Sequence, residues 1–185
     1  GHDIGYTTVC SAVNDIEAKK KEAFIRQHYS WGDCSEFDWG HVKLIIAGKP
    51  KTVHMGAFTT AKGNWRYADI FYSQKMENFL HLHTEFFSHV SGVYRQIVYD
   101  NLRTAVARFV GKNEKVPTDD LLRLSIYYGF SYRFCNTSRA NEKGHVERSV
   151  EYVRRRVFSK KDSFLSLEEA KEYLRQELSE LNLKG

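Results

Sequence analysis

Between Ser35 and Tyr72 the apolar and polar positions fall into three strand-like runs, Ser35 to Ile46, Thr52 to Thr60 and Trp65 to Tyr72. Gly48-Lys49-Pro50-Lys51 and Ala61-Lys62-Gly63-Asn64 separate them, so an antiparallel meander is expected. The period then lengthens. Met76, Phe79, Leu80, Phe86, Phe87 and Val90 recur at helical spacing, behind Ser73 as a cap and ahead of Gly92. A short strand from Arg95 to Tyr99 follows, and 102–110 reads as helix and 111–117 as loop. Thr118 caps a helix running through Leu121, Leu122, Leu124 and Tyr127 to Gly129, and Phe130 to Cys135 is a last strand. Past a polar loop, Gly144 to Phe158 carries Val146, Val150, Val153 and Val157 on one stripe. Ser166 with Glu169 forms a capping box before a helix lined by Leu167, Ala170, Leu174, Leu178 and Leu181.

Upstream, Thr7 or Thr8 caps a helix with Val9, Val13 and Ile16 on one face, and Ser30-Trp31-Gly32-Asp33 makes a turn. The order β-β-β-α-β-α-β-α predicts an α/β domain over 31–185, a mixed five-stranded sheet flanked by helices. A helical extension over 1–30 precedes it. No internal repeat interrupts this order.

With 185 residues, 42% of them hydrophobic, the chain can bury one sizeable core. Its net charge of +5 is unevenly placed. Between Arg139 and Lys161 eight Lys or Arg (139, 143, 148, 154, 155, 156, 160, 161) face three acids (142, 147, 151), so this stretch accounts for the whole excess. A polyanionic partner is the natural reading. Cys10, Cys34 and Cys135 are few, odd in number and far apart, which suits a reducing cytosol and argues against a zinc knuckle or a disulfide framework. No apolar run is long enough to span a membrane. The chain starts Gly1-His2-Asp3 without methionine, which reads as a piece of something longer with flanking domains of its own.

Three carboxylates change the picture most. Asp38 lies in Glu36-Phe37-Asp38-Trp39-Gly40, Asp100 ends Ile97-Val98-Tyr99-Asp100, and Glu147 sits in Asn141-Glu142-Lys143-Gly144-His145-Val146-Glu147. The first two are embedded in runs that otherwise read as buried strand. A buried carboxylate is costly unless it is paired or holds a metal. In the predicted sheet the strand of Asp100 neighbours that of Asp38, and Glu147, one residue off the valine stripe, tilts toward both. Oxygen-only ligands suit Mg²⁺ or Mn²⁺. Two such ions about 3.5–4 Å apart can align attacking and leaving oxygens at phosphorus.

Each residue also has a plainer reading. Asp38 alone could be a turn or edge residue, Asp100-Asn101 an ordinary turn initiator, and Glu147 a solvated helix residue whose place Glu142 or Glu151 could take. Lys143, His145, Arg148, Arg154, Arg155 and Arg156 could contact phosphates or simply form a charged face. His81, His83, Glu85 and His89 spread over different helix faces, which disfavours a zinc site, and Trp65, Tyr67, Phe71 and Tyr72 read as sheet packing. It is the ordered set of acids that points to metal-dependent phosphoryl chemistry.

The same three segments resemble the Asp, Asp, Glu motifs of retroviral-integrase-like (DDE) transposases, and among them the chain looks most like the IstA type of insertion sequences. The resemblance runs from about Arg26 to Asn182, with Asn141 to Glu147 its most specific block. It implies an RNase H-like fold and a polynucleotidyl transferase that cleaves transposon 3′ ends and joins the 3′-hydroxyls to target DNA. Asp38, Asp100 and Glu147 would be its catalytic residues and hold two Mg²⁺ or Mn²⁺ ions. It further implies double-stranded DNA, an AAA+ ATPase helper of the IstB type, homo-oligomers on DNA, and a place at the bacterial nucleoid. The first residues would be the tail of a helix-turn-helix region. Forty-six residues separate Asp100 from Glu147, more than is common among integrases, and the helix from Thr118 to Gly129 would account for the excess. No serine or tyrosine sits with an activating base at a recognisable spacing, consistent with water and a 3′-hydroxyl as nucleophiles. Two rivals share these residues: an RNase H-like nuclease without strand transfer, and a nucleic-acid-binding module with an inactive site.

Overall fold

The computed structural model describes residues 28–99, 102, 104–110, 114–135 and 146–183, without the side chains of 108–110, 114 and 146–149. The helix expected from Thr7, together with Asp100, Asn101, Glu142, Lys143 and His145, lies outside the described residues. Three long strands open the fold: β1 (Cys34–Ile46), β2 (Lys49–Thr60) and β3 (Arg66–Phe71). Then come helix α1 (Met76–His89), strand β4 (Gln96–Tyr99), a hairpin of β5 (Val106–Val110) and β6 (Glu114–Pro117), and helix α2 (Asp119–Tyr128). Strand β7 (Ser131–Phe134), helix α3 (Val146–Val157), the short strand β8 (Ser163–Phe164) and helix α4 (Leu167–Leu183) complete it.

The main sheet runs β3-β2-β1-β4-β7, with β8 added to β1. The first three strands are antiparallel neighbours, whereas β4 lies parallel to β1 and β7 parallel to β4. This is the mixed five-stranded sheet the alternation predicts. Along the edge of β1 away from β2, β4 pairs with Cys34 to Phe37 and β8 with Ile45 and Ile46. Among the described strands, 38–44 therefore pair with β2 alone, and Asp38 stands where β4 stops.

Alternation along β1 sends its side chains to two cores. Phe37 and Trp39 join Phe58, Tyr99 and the α1 residues Phe79, Leu82 and Phe86 on one face. Val42, Leu44 and Ile46 meet Val150, Val153 and Val157 of α3 and Leu174 of α4 on the other. Burying each large side chain is worth about 1.5–3 kcal/mol, so β1 is held from both sides. Among the described residues, no helix is long and apolar enough to cross a membrane.

Local chemistry explains where these elements start and stop. The Thr118 hydroxyl accepts the Leu121 N–H at 3.3 Å, and Ser166 Oγ accepts that of Glu169 at 3.1 Å, as the cap signals predict. Glu169 reaches back to the Leu165 N–H rather than to Ser166, so the box closes one residue early. Ser73 does not cap α1; Lys75 is the boundary residue, and Ser73 instead accepts the Asn78 side-chain amide. The first turn is tighter than expected: Ala47 and Gly48, both at positive φ, form a two-residue hairpin that pairs Ile46 with Lys49.

The clearest correction concerns 102–110. Val106–Val110 is a strand paired with Glu114–Pro117 rather than a helix. So short a run cannot show a full helical period, and the partner that stabilises it reads by itself as loop. The hairpin also lies in the interval between Asp100 and Glu147, so the helix from Thr118 is not alone in lengthening it.

Gly40 is where α3 comes closest to β1: a Cβ placed there would fall 2.0 Å from Val150 Cγ1. Gly40→Ala is expected to destabilise the fold by roughly 1–3 kcal/mol through overpacking. Adding Val150→Ala should recover part of that loss, because the two changes meet at the same point. Guanidinium unfolding of the four proteins checks this, and strictly additive losses would show that the close approach is not the cause.

Candidate active site

Asp38 shares a strand face with Gly40 and Val42, the face that α3 covers. It is half-buried and pairs in register with Ala57 of β2, and its Oδ1 accepts the Trp39 N–H at 2.8 Å. On the other side, the last β1–β4 pair is Phe37 with Tyr99. The next residue in one chain segment is Asp38 and in the other Asp100, although Asp100 itself is outside the described residues. Thus the structure places the residue before each aspartate side by side.

The third acid is approached through α3. Glu147 belongs to this helix and precedes Val150 by three residues, a spacing that puts both on one helix side. Val150 sits on Gly40, two residues from Asp38. The Glu147 side chain is not described. Glu151, the alternative third acid, is engaged elsewhere: its Oε1 meets Arg155 Nη2 at 2.6 Å and Arg154 Nη2 at 3.7 Å.

One neighbour of Asp38 along the strand, which sequence reasoning does not single out, shapes this face of β1. Glu36, on the same face of β1, has a buried Oε2 without a hydrogen-bond partner. Burial raises its carboxyl to about 7, against the pull of the Arg133 guanidinium on β7. Next to it Cys34, Val98 and Cys135 form a small apolar cluster, and burial pushes the Cys34 thiol up to about 11. The signal for Glu36 is present as an acid two residues from Asp38 at strand period. Its burial depends on β4 and β7, which no local pattern reveals.

Of the basic residues, Arg154, Arg155 and Arg156 are exposed in the last turn of α3. The Arg156 guanidinium lies 5.5 Å from the centre of the Tyr152 ring, and Arg66 of β3 lies 4.3 Å from it. Arg148 is on α3 with its side chain undescribed, and Lys143 and His145 are outside the described residues. The histidines of α1 separate as their spacing implies: His83 is fully buried, whereas His81 and His89 are exposed. Among the described residues no three His, Cys, Asp or Glu side chains converge on one point.

No family model matches the chain. Among curated proteins it is similar to a transposase for insertion sequences IS1326/IS1353 of Pseudomonas aeruginosa, 29% identical over 147 residues, covering 80% of this chain and 29% of that protein. It is also similar to a putative transposase for insertion sequence element IS5376 of Geobacillus stearothermophilus (27% over 157 residues; 80% and 38%). A transposase for insertion sequence element IS21 of Pseudomonas aeruginosa is 26% identical over 147 residues (79% and 37%). The chain thus spans 29% to 38% of the length of these relatives.

Among solved structures, a chain of the simian T-cell lymphotropic virus intasome in complex with PP2A regulatory subunit B56 gamma matches with a TM-score of 0.64 at 11% identity, over 83% of this chain and 49% of that one. The catalytic core domain of BIV integrase matches at 0.60 and 12%, over 83% and 86%. The HTLV-2 integrase catalytic core domain in complex with magnesium matches at 0.57 and 11%, over 80% and 82%. The fold is therefore that of integrase catalytic cores, RNase H-like, and the relatives in sequence are insertion-sequence transposases.

The raised Glu36 carboxyl has a measurable consequence. Its folded value, about 7, lies above the unfolded value of about 4.3. Its contribution to stability is therefore full below about pH 4.3 and lost as pH rises toward 7. Against Glu36→Gln, which keeps the shape without the charge, the parent should lose roughly 3 kcal/mol of relative stability across that window. Denaturation at fixed pH in EDTA reads the difference, to which His83, buried in both proteins, contributes nothing. A pH-independent difference would mean that Glu36 is solvated.

Proposed function

We propose that the chain is the catalytic core of an IstA-type DNA transposase, which cleaves transposon 3′ ends and transfers the freed 3′-hydroxyls into target DNA. One observation carries the reading: the Phe37–Tyr99 register pair is followed in both segments by an aspartate, and α3 is seated on the same strand at Gly40. Insertion-sequence transposases as relatives and integrase cores as structural neighbours support it.

In this reading Asp38, Asp100 and Glu147 hold two Mg²⁺ or Mn²⁺ ions. The surroundings fit a hard dication: the donors of this set are carboxyl oxygens, and Glu36, two residues from Asp38 on the same strand face, offers a further Oε2 without a hydrogen-bond partner. When bound, the metal activates water or a 3′-hydroxyl and stabilises charge on the phosphate in flight. The protein's own part is positional. β1 and β4 pair in register up to the buried aromatic pair Phe37 and Tyr99, and the next residue in each segment is an aspartate. Helix α3, which carries Glu147, is held to the sheet by Val150, Val153 and Val157 packed against Val42, Leu44 and Ile46. Arg154, Arg155 and Arg156, with Lys143, His145 and Arg148, hold the DNA backbone, contacts that set position without reading sequence. End recognition falls to a flanking DNA-binding region, target capture to an AAA+ ATPase of the IstB type, and the active form is an oligomer on DNA at the nucleoid.

Asp38→Asn, Asp100→Asn and Glu147→Gln are each expected to abolish cleavage and joining of labelled end DNA in Mn²⁺ while the protein stays folded. The loss corresponds to several kcal/mol of transition-state stabilisation, on the order of that given by a metal ion's charge. Turnover in EDTA would end the metal reading. Cleavage without joined products would make the protein a nuclease of the same fold. If Glu151→Gln died while Glu147→Gln worked, the third ligand would be misassigned.

Replacing Arg154, Arg155 and Arg156 together by alanine should weaken binding similarly on all DNA sequences. The slope of log affinity against log salt should become shallower by about one unit for each phosphate that is no longer neutralised. An unchanged slope assigns the arginines to a solvated face.

A further inference from the structure

Beneath the acid-bearing strands, on the face opposite α3, lies a polar pair in an otherwise apolar core. His83 of α1 is completely buried among Phe37, Phe58 and Phe79. Its Nδ1 is 2.7 Å from the Phe79 carbonyl oxygen, and its Nε2 is 2.8 Å from the Tyr99 hydroxyl. A carbonyl only accepts, so Nδ1 carries the hydrogen, Nε2 offers its lone pair, and the Tyr99 O–H donates. Tyr99 is the last residue of β4, pairs in register with Phe37, and is itself fully buried.

We infer that the His83–Tyr99 hydrogen bond is a positioning device for the active site: it locks the end of β4 to α1 and so fixes the residue that directly precedes Asp100 in the chain. The inference rests on the reading of Asp100 as a metal ligand. Volume alone does not require these residues, because a leucine and a phenylalanine could fill the same space without two polar groups in a dry core. Once paired, such groups admit one geometry, since any slippage leaves both unsatisfied. The bond to the Phe79 carbonyl, one turn back on the same helix, fixes the imidazole before it meets Tyr99. The rigid element α1 is thereby tied to the residue next to Asp100. Burial pushes the His83 imidazole down to about 3 and the Tyr99 phenol well above its usual value, so neither changes protonation under working conditions. The lock does not depend on pH. Outer-shell partners of this kind typically change metal affinity 10–100-fold when removed.

The test uses Tyr99→Phe, His83→Phe and the double variant, with Mn²⁺ titrated by calorimetry and thermal unfolding measured in EDTA. Each single variant leaves one buried polar group unpaired. It is expected to melt at a lower temperature and bind Mn²⁺ about tenfold more weakly. The double variant removes both polar groups, so its melting temperature should return toward the parent while its Mn²⁺ affinity stays about tenfold down. End cleavage by the double variant should fall in kcat with KM for DNA unchanged. Recovery of metal affinity together with stability would reduce the pair to core packing and overturn the inference. If the double variant does not fold, Tyr99→Phe decides alone, and parent-like Mn²⁺ affinity in that protein overturns the inference. Asp100→Asn separates the two readings: if that variant binds Mn²⁺ as the parent does, the assignment of Asp100 fails first.

Discussion

The packing of Val150 against the bare backbone of Gly40 is the constraint on which the arrangement of the site depends. Any side chain at 40 would hold α3 away from β1. With glycine there, the helix seats on the strand two residues from Asp38. The opposite face uses the same device: a Cβ at Gly56, on β2 beside Trp39, would fall 2.4 Å from Leu82 Cδ1 of α1. Helices thus press on the β1–β2 pair from both sides at points one residue apart along β1. Close-packed interiors transmit strain rather than absorb it, so Asp38, on β1 between the two cores, inherits the rigidity of both.

That rigidity has an electrostatic cost concentrated at one row of the sheet. Glu36 and Asp38 share one face of β1 and both are partly buried, and the Oε2 of Glu36 is enclosed without a hydrogen-bond partner. The Arg133 guanidinium offsets only part of the desolvation that raises the Glu36 carboxyl. A cation arriving at this face would favour the ionised form of Glu36, whose carboxyl burial otherwise holds near 7.

Much of the frame is legible because it is local. Strand alternation in 35–46 and 52–60, the Thr118 cap, the Ser166–Glu169 signal and the valine stripe of α3 each encode their element within a few residues. Asp38 can be placed on its strand for the same reason. What escapes is non-local. Val106–Val110 becomes strand only through its partner at 114–117, and the burial of Glu36 depends on strands sixty to a hundred residues downstream. His83 looks like one of several histidines on a helix, and nothing in its own segment announces the tyrosine hydroxyl that it accepts. The order of the three acids points to the chemistry, while the register that juxtaposes Phe37 and Tyr99 is a property of the folded sheet alone.

The arginines of α3 serve two ends of one physical problem. Three positive charges in the last turn favour the helix by opposing the partial negative charge of its C-terminus, an effect of about 0.3–1 kcal/mol per charge at low salt. Glu151 already neutralises part of that charge through Arg154 and Arg155. A phosphate approaching this surface therefore competes with an existing ion pair rather than filling an empty site. Exposed ion pairs are worth little, around 0–1 kcal/mol, so the exchange is cheap and easily reversed. In the proposed reading, weak, exchangeable and sequence-blind contact of this kind is what a surface that positions a DNA backbone would need.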